Sequence, residues 1–467
     1  VIGLIIYACG SAMTAAAPTV AVLTLGWSIL EGIGAALVLP AMAALIAGNF
    51  EGESRKGAYA IIGGVAGAGI AVGPILGGWA TTELSWRVVF AGEVVLVLFI
   101  LAMVRYVVDT PIEGAKPRLD VVGSVLAATG LGILVLGVLQ SSSWGWVAPK
   151  ADSPFEPFGF SATLFVIAFG GVLLWGFVRW QHRREAHGQD PLVHLGLLKI
   201  PPLRSGLIGM LSQNLILMGI FFSIPLYLQI VLGLDALDTG IKMLRVSIAM
   251  FVTSAVGSRL SARFAVRSIV QAGLWTTLVA AVLLLATIQP TLAEGSFKVA
   301  MAILGVGMGL IVSQLGNGVQ SSVDASGRGE AGGLQYTGQQ LGSSLGVALI
   351  GAIVLIGLGN AFVSNIQDDP AIDDTIETQL EAAVQEGIDF IPADQVESAL
   401  LDAGVDDATT AVIVDDYEDA SLKALKVGLL AAALLALVSL AFTGDLPHDP
   451  PSSGAEEDEP DREVALA

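Results

Sequence analysis

Two acidic residues stand where acids are costly. Glu31 lies well inside an apolar run over residues 20–47, and Glu93 lies about two helical turns into another over residues 86–108. Ionisable groups within apolar runs of bilayer length usually face a cavity or a partner. A carboxyl group that alternates between a neutral and a charged form is what coupling to a proton gradient needs, so Glu31 and Glu93 are the candidate proton-coupling residues. The plainer role for either is a hydrogen bond or ion pair that holds helices together. A second set of polar residues is uncharged: Gln213, Asn214, Tyr227 and Gln229 in residues 203–232, Gln314 and Asn317 in 297–318, and Gln335, Tyr336, Gln339 and Gln340 in 332–360. Amides and phenols in such runs bind either other helices or the polar groups of a passing solute. On that basis Gln213, Asn214, Tyr227, Gln229, Gln314, Asn317, Gln335, Gln339 and Gln340 are candidates for a substrate path.

Other chemistries find no support. Cys9 is the single cysteine, which excludes an intrachain disulfide and a cysteine-based zinc site. The four histidines, His182, His187, His194 and His448, lie in polar segments, away from any intramembrane metal site. No GxxxxGK[ST], HExxH or GxSxG occurs, and the glycine runs at 63–69 and 305–309 lack the GxGxxG spacing. No covalent catalysis, nucleotide hydrolysis, metal or cofactor is expected, and the chain does not read as an enzyme.

The elements that must position these residues follow from composition. Of 467 residues, 54% are hydrophobic and 14% are charged, whereas soluble domains carry about 25% charged residues. Roughly 20 apolar residues cross a hydrocarbon core of about 30 Å as a helix. Twelve segments meet this length: residues 1–17, 20–47, 57–80, 86–108, 119–140, 161–180, 203–232, 238–260, 268–288, 297–318, 332–360 and 422–443. The first lies at the very start of the chain without a basic flank, so a missing N-terminal portion is expected and not a signal peptide.

The net charge of −20 is local. Residues 364–421 hold 17 of the 42 acidic residues and no base, and the tail after Thr443 holds 8 more with Arg462 as its one base. A basic nucleic-acid footprint is absent. Solvated segments this acidic predict a salt-loving host, a halophilic archaeon, because molar salt shortens the Debye length to about 3 Å. Basic residues set orientation. Arg55 and Lys56, Lys116 and Arg118, the Arg179–Arg204 cluster, Arg259 and Arg263, and Arg328 all fall in even-numbered loops. Those loops are predicted cytoplasmic. The acidic segment 364–421 is then extracellular, with short amphipathic helices near Thr375–Gln385 and Asp394–Ala403, and the acidic tail is cytoplasmic.

The densest local pattern is GGVAGAGIAVGPILGGW, residues 63–79. Gly69, Gly73 and Gly77 recur every four residues, which lays a smooth face along one side of a helix, and Pro74 removes a backbone donor and bends it. A smooth bent helix suits a gate as well as tight packing. The run G-x-x-x-G-P-x-x-G-G from Gly69 to Gly78 resembles the antiporter motif of the major facilitator superfamily, in the fifth helix of its drug:proton exporters. GWSILEGIGAALVLPA (26–41) resembles the fourth-helix motif R-x-x-Q-G-x-G. YLQIVLGLDALDTG (227–240), GSRLSARFAVR (257–267) and GQQLGSSLGVALIGA (338–352) resemble later parts of the 14-helix branch. The sequence departs from the family pattern at Ala60, at Ser28 and Glu31 (family Arg and Gln), at Glu93 (family Asn), at Ala262 (family Asp) and at Gln339 (family Arg).

The resemblance implies an all-α membrane protein, a major-facilitator-type two-lobe helical bundle in which the twelve visible helices are helices 3–14 of 14. Residues 1–108 would form the N-terminal lobe, 109–202 two linking helices and a cytoplasmic loop, and 203–363 the C-terminal lobe. Residues 364–421 would be an acidic extracellular loop, 422–443 the last transmembrane helix and 444–467 a cytoplasmic tail. Gly69, Gly73, Pro74, Gly77 and Gly78 would form the gating motif. The expected function is cation (proton)-coupled efflux of small hydrophobic or amphipathic compounds from a multi-pass protein of the cell membrane. Its partners would be membrane lipid, a small-molecule substrate and a proton or sodium ion. A facilitator-type importer and a non-transporting scaffold or sensor are the competing classes.

Overall fold

The computed structural model describes residues 1–49, 72–106, 120–150, 152–261, 263–324, 327–370, 372–386 and 389–447, together with 65 and 69. No strand occurs among them. In chain order the helices are α1 (Ile2–Ala15), α2 (Val20–Leu23), α3 (Gly32–Asn49), α4 (Trp86–Met103), α5 (Val121–Leu139), α6 (Ser141–Trp144) and α7 (Ala162–Ala186). They continue with α8 (Pro201–Pro225), α9 (Ala236–Leu260), α10 (Val266–Thr287), α11 (Glu294–Ser321), α12 (Arg328–Asp368), α13 (Asp374–Glu386), α14 (Ala393–Asp402) and α15 (Asp407–Ala441). A π-helical segment, Thr24–Glu31, joins α2 to α3 without a break. Among the described residues ten stretches are long and apolar enough to cross a membrane. Two of the twelve expected spans are not among them: α1 is apolar but only 14 residues long, and most of the span 57–80 lies outside the described residues.

Helix entry points are marked by polar caps. Ser85, Asp120, Ser161, Asp235 and Asp406 each accept a first-turn N–H with the side chain, which supplies partners to donors that the helix itself leaves unpaired. Two helices overrun their expected spans. α12 has 41 residues and α15 has 35, about 60 and 50 Å of helix. Both continue as helix beyond their apolar runs into the acidic segment. α13 and α14 fall over the two stretches expected to be amphipathic. Their apolar residues Ile376, Leu380, Val384 and Val396 pack on the cluster containing Ile372, Leu400, Ile413 and Tyr417. The buried Tyr417 hydroxyl accepts the Ile391 N–H at 2.9 Å and lies 2.9 Å from the Ile391 carbonyl. The acidic segment is therefore a folded cap on the ends of α12 and α15.

Packing divides the helices into groups. α1 packs on the π segment, α3 and α4. α8, α9, α10, α11, α12 and α15 form a second bundle, where the large fully buried side chains Phe297, Leu304, Met308 and Tyr227 lie. α5 and α7 pack on each other, and α5 and α6 lean on α12.

The linking pair is pinned by Asp120. It is 3% exposed, accepts Gly123 N–H at 2.9 Å, Trp180 Nε1–H at 2.9 Å and Gln181 Nε2–H at 2.8 Å, and has Arg184 Nε at 3.7 Å. Burial by itself pushes its acidity down, but the hydrogen bonds from Gly123, Trp180 and Gln181 and the Arg184 charge outweigh it and hold the carboxyl below the usual carboxylate range. Asp120→Ala leaves three donors, two of them buried, without an acceptor and should destabilise the pair by about 3 kcal/mol. A lowered folded-state value means that this stability is present above the unfolded value of about 3.9 and is lost as the pH falls below it. Thermal unfolding should show the variant melting earlier at neutral pH, with the gap to the parent closing below about pH 4.

Candidate functional site

Glu31 and Glu93 come from different helices and meet. Glu31 closes the π segment, and Glu93 lies in the second turn of α4. A π segment inserts an extra residue per turn and is frequent at functional positions. α1 approaches the π segment so closely that a Cβ on Gly10 would lie 2.7 Å from the Glu31 nitrogen. This contact brings Ser11 to both acids: its hydroxyl is in close contact with Glu31 Oε1 and lies 3.1 Å from Glu93 Oε2. Tyr7, one turn earlier on α1, aims its hydroxyl at Glu93 Oε2 from 3.4 Å. Glu31 is 4% exposed and Ser11 is fully buried. A serine hydroxyl has one proton to donate. Satisfying both contacts therefore takes a proton on one of the two carboxyl groups. The geometry is that of two acids and two hydroxyls sharing a small number of protons. Ser11 and Tyr7 were not among the residues singled out from sequence, although their i, i+4 spacing on an apolar helix is a readable sign of a shared polar face.

The candidate path residues separate into two kinds. Asn214 on α8 and Gln339 on α12 are half-buried and gather around Met210 and Ser343, and half-buried Gln335 lies one turn before Gln339 on α12. Asn214 donates to the Met210 carbonyl at 3.0 Å, and Ser343 lies 3.5 Å from Asn214 Oδ1. Among the described residues the buried Gln335 Oε1 atom has no hydrogen-bond partner, so it is the acceptor this group offers. Gln340 and Gln229 are exposed, and Gln213 is buried in α8. Two others are engaged with neighbouring helices. Tyr227 is fully buried and donates to the Gln289 carbonyl at 2.7 Å, pinning the end of α8 to the end of α10. Gln314 is 1% exposed and donates to the Gly257 carbonyl at 2.8 Å, tying α11 to α9. Both are occupied in helix–helix bonds to backbone oxygens. The Asn317 side chain lies outside the described residues, as does Ala262.

The glycine–proline segment meets the second bundle at one end. Pro74 is half-buried and Gly78 buried. A Cβ on Gly78 would lie 2.5 Å from the Ala236 carbonyl oxygen, and one on Gly240 would overlap the Pro74 carbonyl oxygen. Thr82 Oγ1 accepts the Leu237 N–H at 3.3 Å. Gly69, Gly73 and Gly77 have no described atom within 4 Å of an added Cβ. The close approach is thus made by Gly78 and by Gly240, a residue not singled out from sequence. The four-residue periodicity of the other three follows a face that turns away from this contact.

The decisive comparison is with families. The model of the Major Facilitator Superfamily matches residues 1–347. The chain belongs to the major facilitator superfamily. Among other members of the superfamily, it is 29% identical over 335 residues to the tetracenomycin C resistance and export protein of Streptomyces glaucescens, covering 72% of this chain and 59% of that one. It is 26% identical over 439 residues to the multidrug efflux pump LfrA of Mycolicibacterium smegmatis, covering 94% and 80%. The chain spans about three fifths of the length of the first of these. A solved transporter, the bacterial homologue of the human lysosomal transporter Spinster in an inward-facing, unoccupied conformation, superposes with a TM-score of 0.54 at 12% identity, over 96% of this chain and 84% of that one. That likeness is one of fold. The family and the ten described stretches long and apolar enough to cross a membrane agree with a multi-span membrane protein.

Proposed function

We propose that this transporter exports small hydrophobic or amphipathic compounds in exchange for protons, by alternating exposure of a site between its two helical groups. Members of the superfamily named for resistance, export and multidrug efflux support the direction and the substrate class. The observation that carries the coupling is the Ser11-bridged pair Glu31 and Glu93. In this reading one proton is held between the two acids and is released when the surrounding helices separate. Asn214, Gln335, Gln339 and Ser343 serve as the polar contacts of the solute on the other group, since Gln335 Oε1 is the acceptor they offer. The contact of Gly78 and Gly240 is the closed outer gate, with the even-numbered basic loops cytoplasmic and the acidic cap outside. Its acids suit a high-salt exterior.

The test is efflux from proteoliposomes carrying an imposed pH difference. Export of a fluorescent amphipathic dye should be driven by the proton gradient and collapse on addition of a protonophore. Export that persists in full after the gradient is dissipated, or that follows sodium alone, contradicts the reading.

A further inference from the structure

The loop between the two linking helices, residues 145–161, is not a slack connection. Lys150 N–H donates to the Trp144 carbonyl at 3.0 Å, Ser161 N–H to Val147 at 2.9 Å, and the Ser161 hydroxyl to Gly145 at 2.7 Å. Lys150 Nζ folds back onto the Ser142 carbonyl at 2.9 Å; burial pushes its pKa down. Much of the loop's polar backbone is therefore bonded within the loop, while its large apolar side chains point away. Phe158 is 93% exposed, and Val147, Phe155 and Phe160 are exposed beside it. Phe158 also has φ of +59°, among the described residues the one non-glycine position with positive φ. A bulky side chain held in the left-handed region costs about 1–2 kcal/mol. A fold that keeps a fully presented phenylalanine there gains nothing from it in water.

What lies against this surface can be read from its position. Phe155 packs on Phe165 of α7, with ring centroids 6.4 Å apart. The apolar helix α7 begins at Ala162, two residues after Phe160, and the apolar helix α5 ends at Leu139. The exposed stripe of α7 continues from the loop through Leu164, Phe169, Val172 and Trp175. That stripe belongs to a helix long and apolar enough to cross a membrane, where it would face lipid. The loop's phenylalanines extend it to the level where aromatic side chains concentrate at membrane interfaces.

We infer that residues 155–160 form an aromatic hook that inserts into the lipid interface at the outer end of the linking helices. The hook fixes the depth of the α5–α7 pair, and through the packing of α5 and α6 it fixes the depth of α12 beside it. The ligand is a lipid surface, recognised by buried apolar area and not by headgroup charge.

The test is site-directed spin labelling in liposomes and does not depend on transport. Cys9 is the single cysteine, so Cys9→Ser gives a clean background for Phe158→Cys, with Phe155→Cys and Phe160→Cys as independent positions should the first perturb folding. Gln189→Cys, exposed in the loop after α7, is the aqueous control. Nitroxides at the hook should show a ratio of oxygen to nickel-chelate collision at least about fivefold above the control, as expected for a side chain some 5–10 Å into the interface. The ratio should be the same in neutral and in anionic liposomes. Equal ratios at hook and control positions overturn the inference, as does shielding from oxygen and nickel together, which would mean burial against another protein surface.

Discussion

Substituting Glu31→Gln and Glu93→Gln together should abolish pH-driven efflux while leaving the protein folded. Glutamine keeps the shape and the hydrogen-bonding reach of each side chain, so Ser11 and Tyr7 retain partners, but neither position can then gain or lose a proton. The loss should be on the order of 10²-fold or more, the scale set by a positioned proton carrier. Each single variant should be milder, because Ser11 contacts both acids and the remaining carboxyl still carries a proton. The informative control is exchange of labelled for unlabelled dye with no gradient imposed. This should survive in the double variant, since solute exchange needs no net proton movement. Full gradient-driven efflux in the double variant would remove these acids from the coupling scheme and leave them a structural role.

The second large effect is expected at Gly240. The Cβ of Gly240→Val meets the Pro74 carbonyl, which belongs to backbone and cannot swing aside. Overpacking at such a contact costs about 1–3 kcal/mol. Charged against the closed state alone, that is a shift of about 5- to 150-fold in the balance between closed and open outer ends. Oxidative cross-linking between Thr82→Cys and Leu237→Cys, in the Cys9→Ser background, should then be correspondingly slower, and steady-state efflux should fall. Gly69→Ala and Gly77→Ala, where an added Cβ meets no described atom, should change the cross-linking rate by less than about twofold. A cross-linking rate unchanged by Gly240→Val would show that this contact does not hold the outer end shut.

Much of this arrangement was legible in the sequence because the bilayer imposes simple rules. Length and hydropathy located the spans, and the two helices of the acidic cap showed in their spacing. Glu31 and Glu93 stood out because acids in apolar runs are rare. Their meeting was not legible: it depends on Gly10 letting α1 close on the π segment and on that segment's extra residues turning Glu31 toward Ser11. The helix–helix bonds of Tyr227 and Gln314 were not legible either, for a physical reason. A phenol or amide in a membrane helix bonds a neighbouring backbone oxygen as readily as a solute, and sequence does not say which is within reach. Gly240 was overlooked among 56 glycines because its partner, Pro74, is more than 160 positions away in the chain. The overrun of α12 and α15 was hidden by charge, which marks the end of the apolar span but not the end of the helix.

The central claim is that two helical groups move against each other around a solute path, with the Thr82–Leu237 end closed in this structure. Paired cysteines at Thr82 and Leu237, in the Cys9→Ser background, test it most directly, because the two residues are joined by a hydrogen bond across that contact. The account predicts that oxidative cross-linking stops gradient-driven efflux and that a reductant restores it. Complete cross-linking with efflux undiminished would contradict it, since the groups would then carry solute without parting at this end.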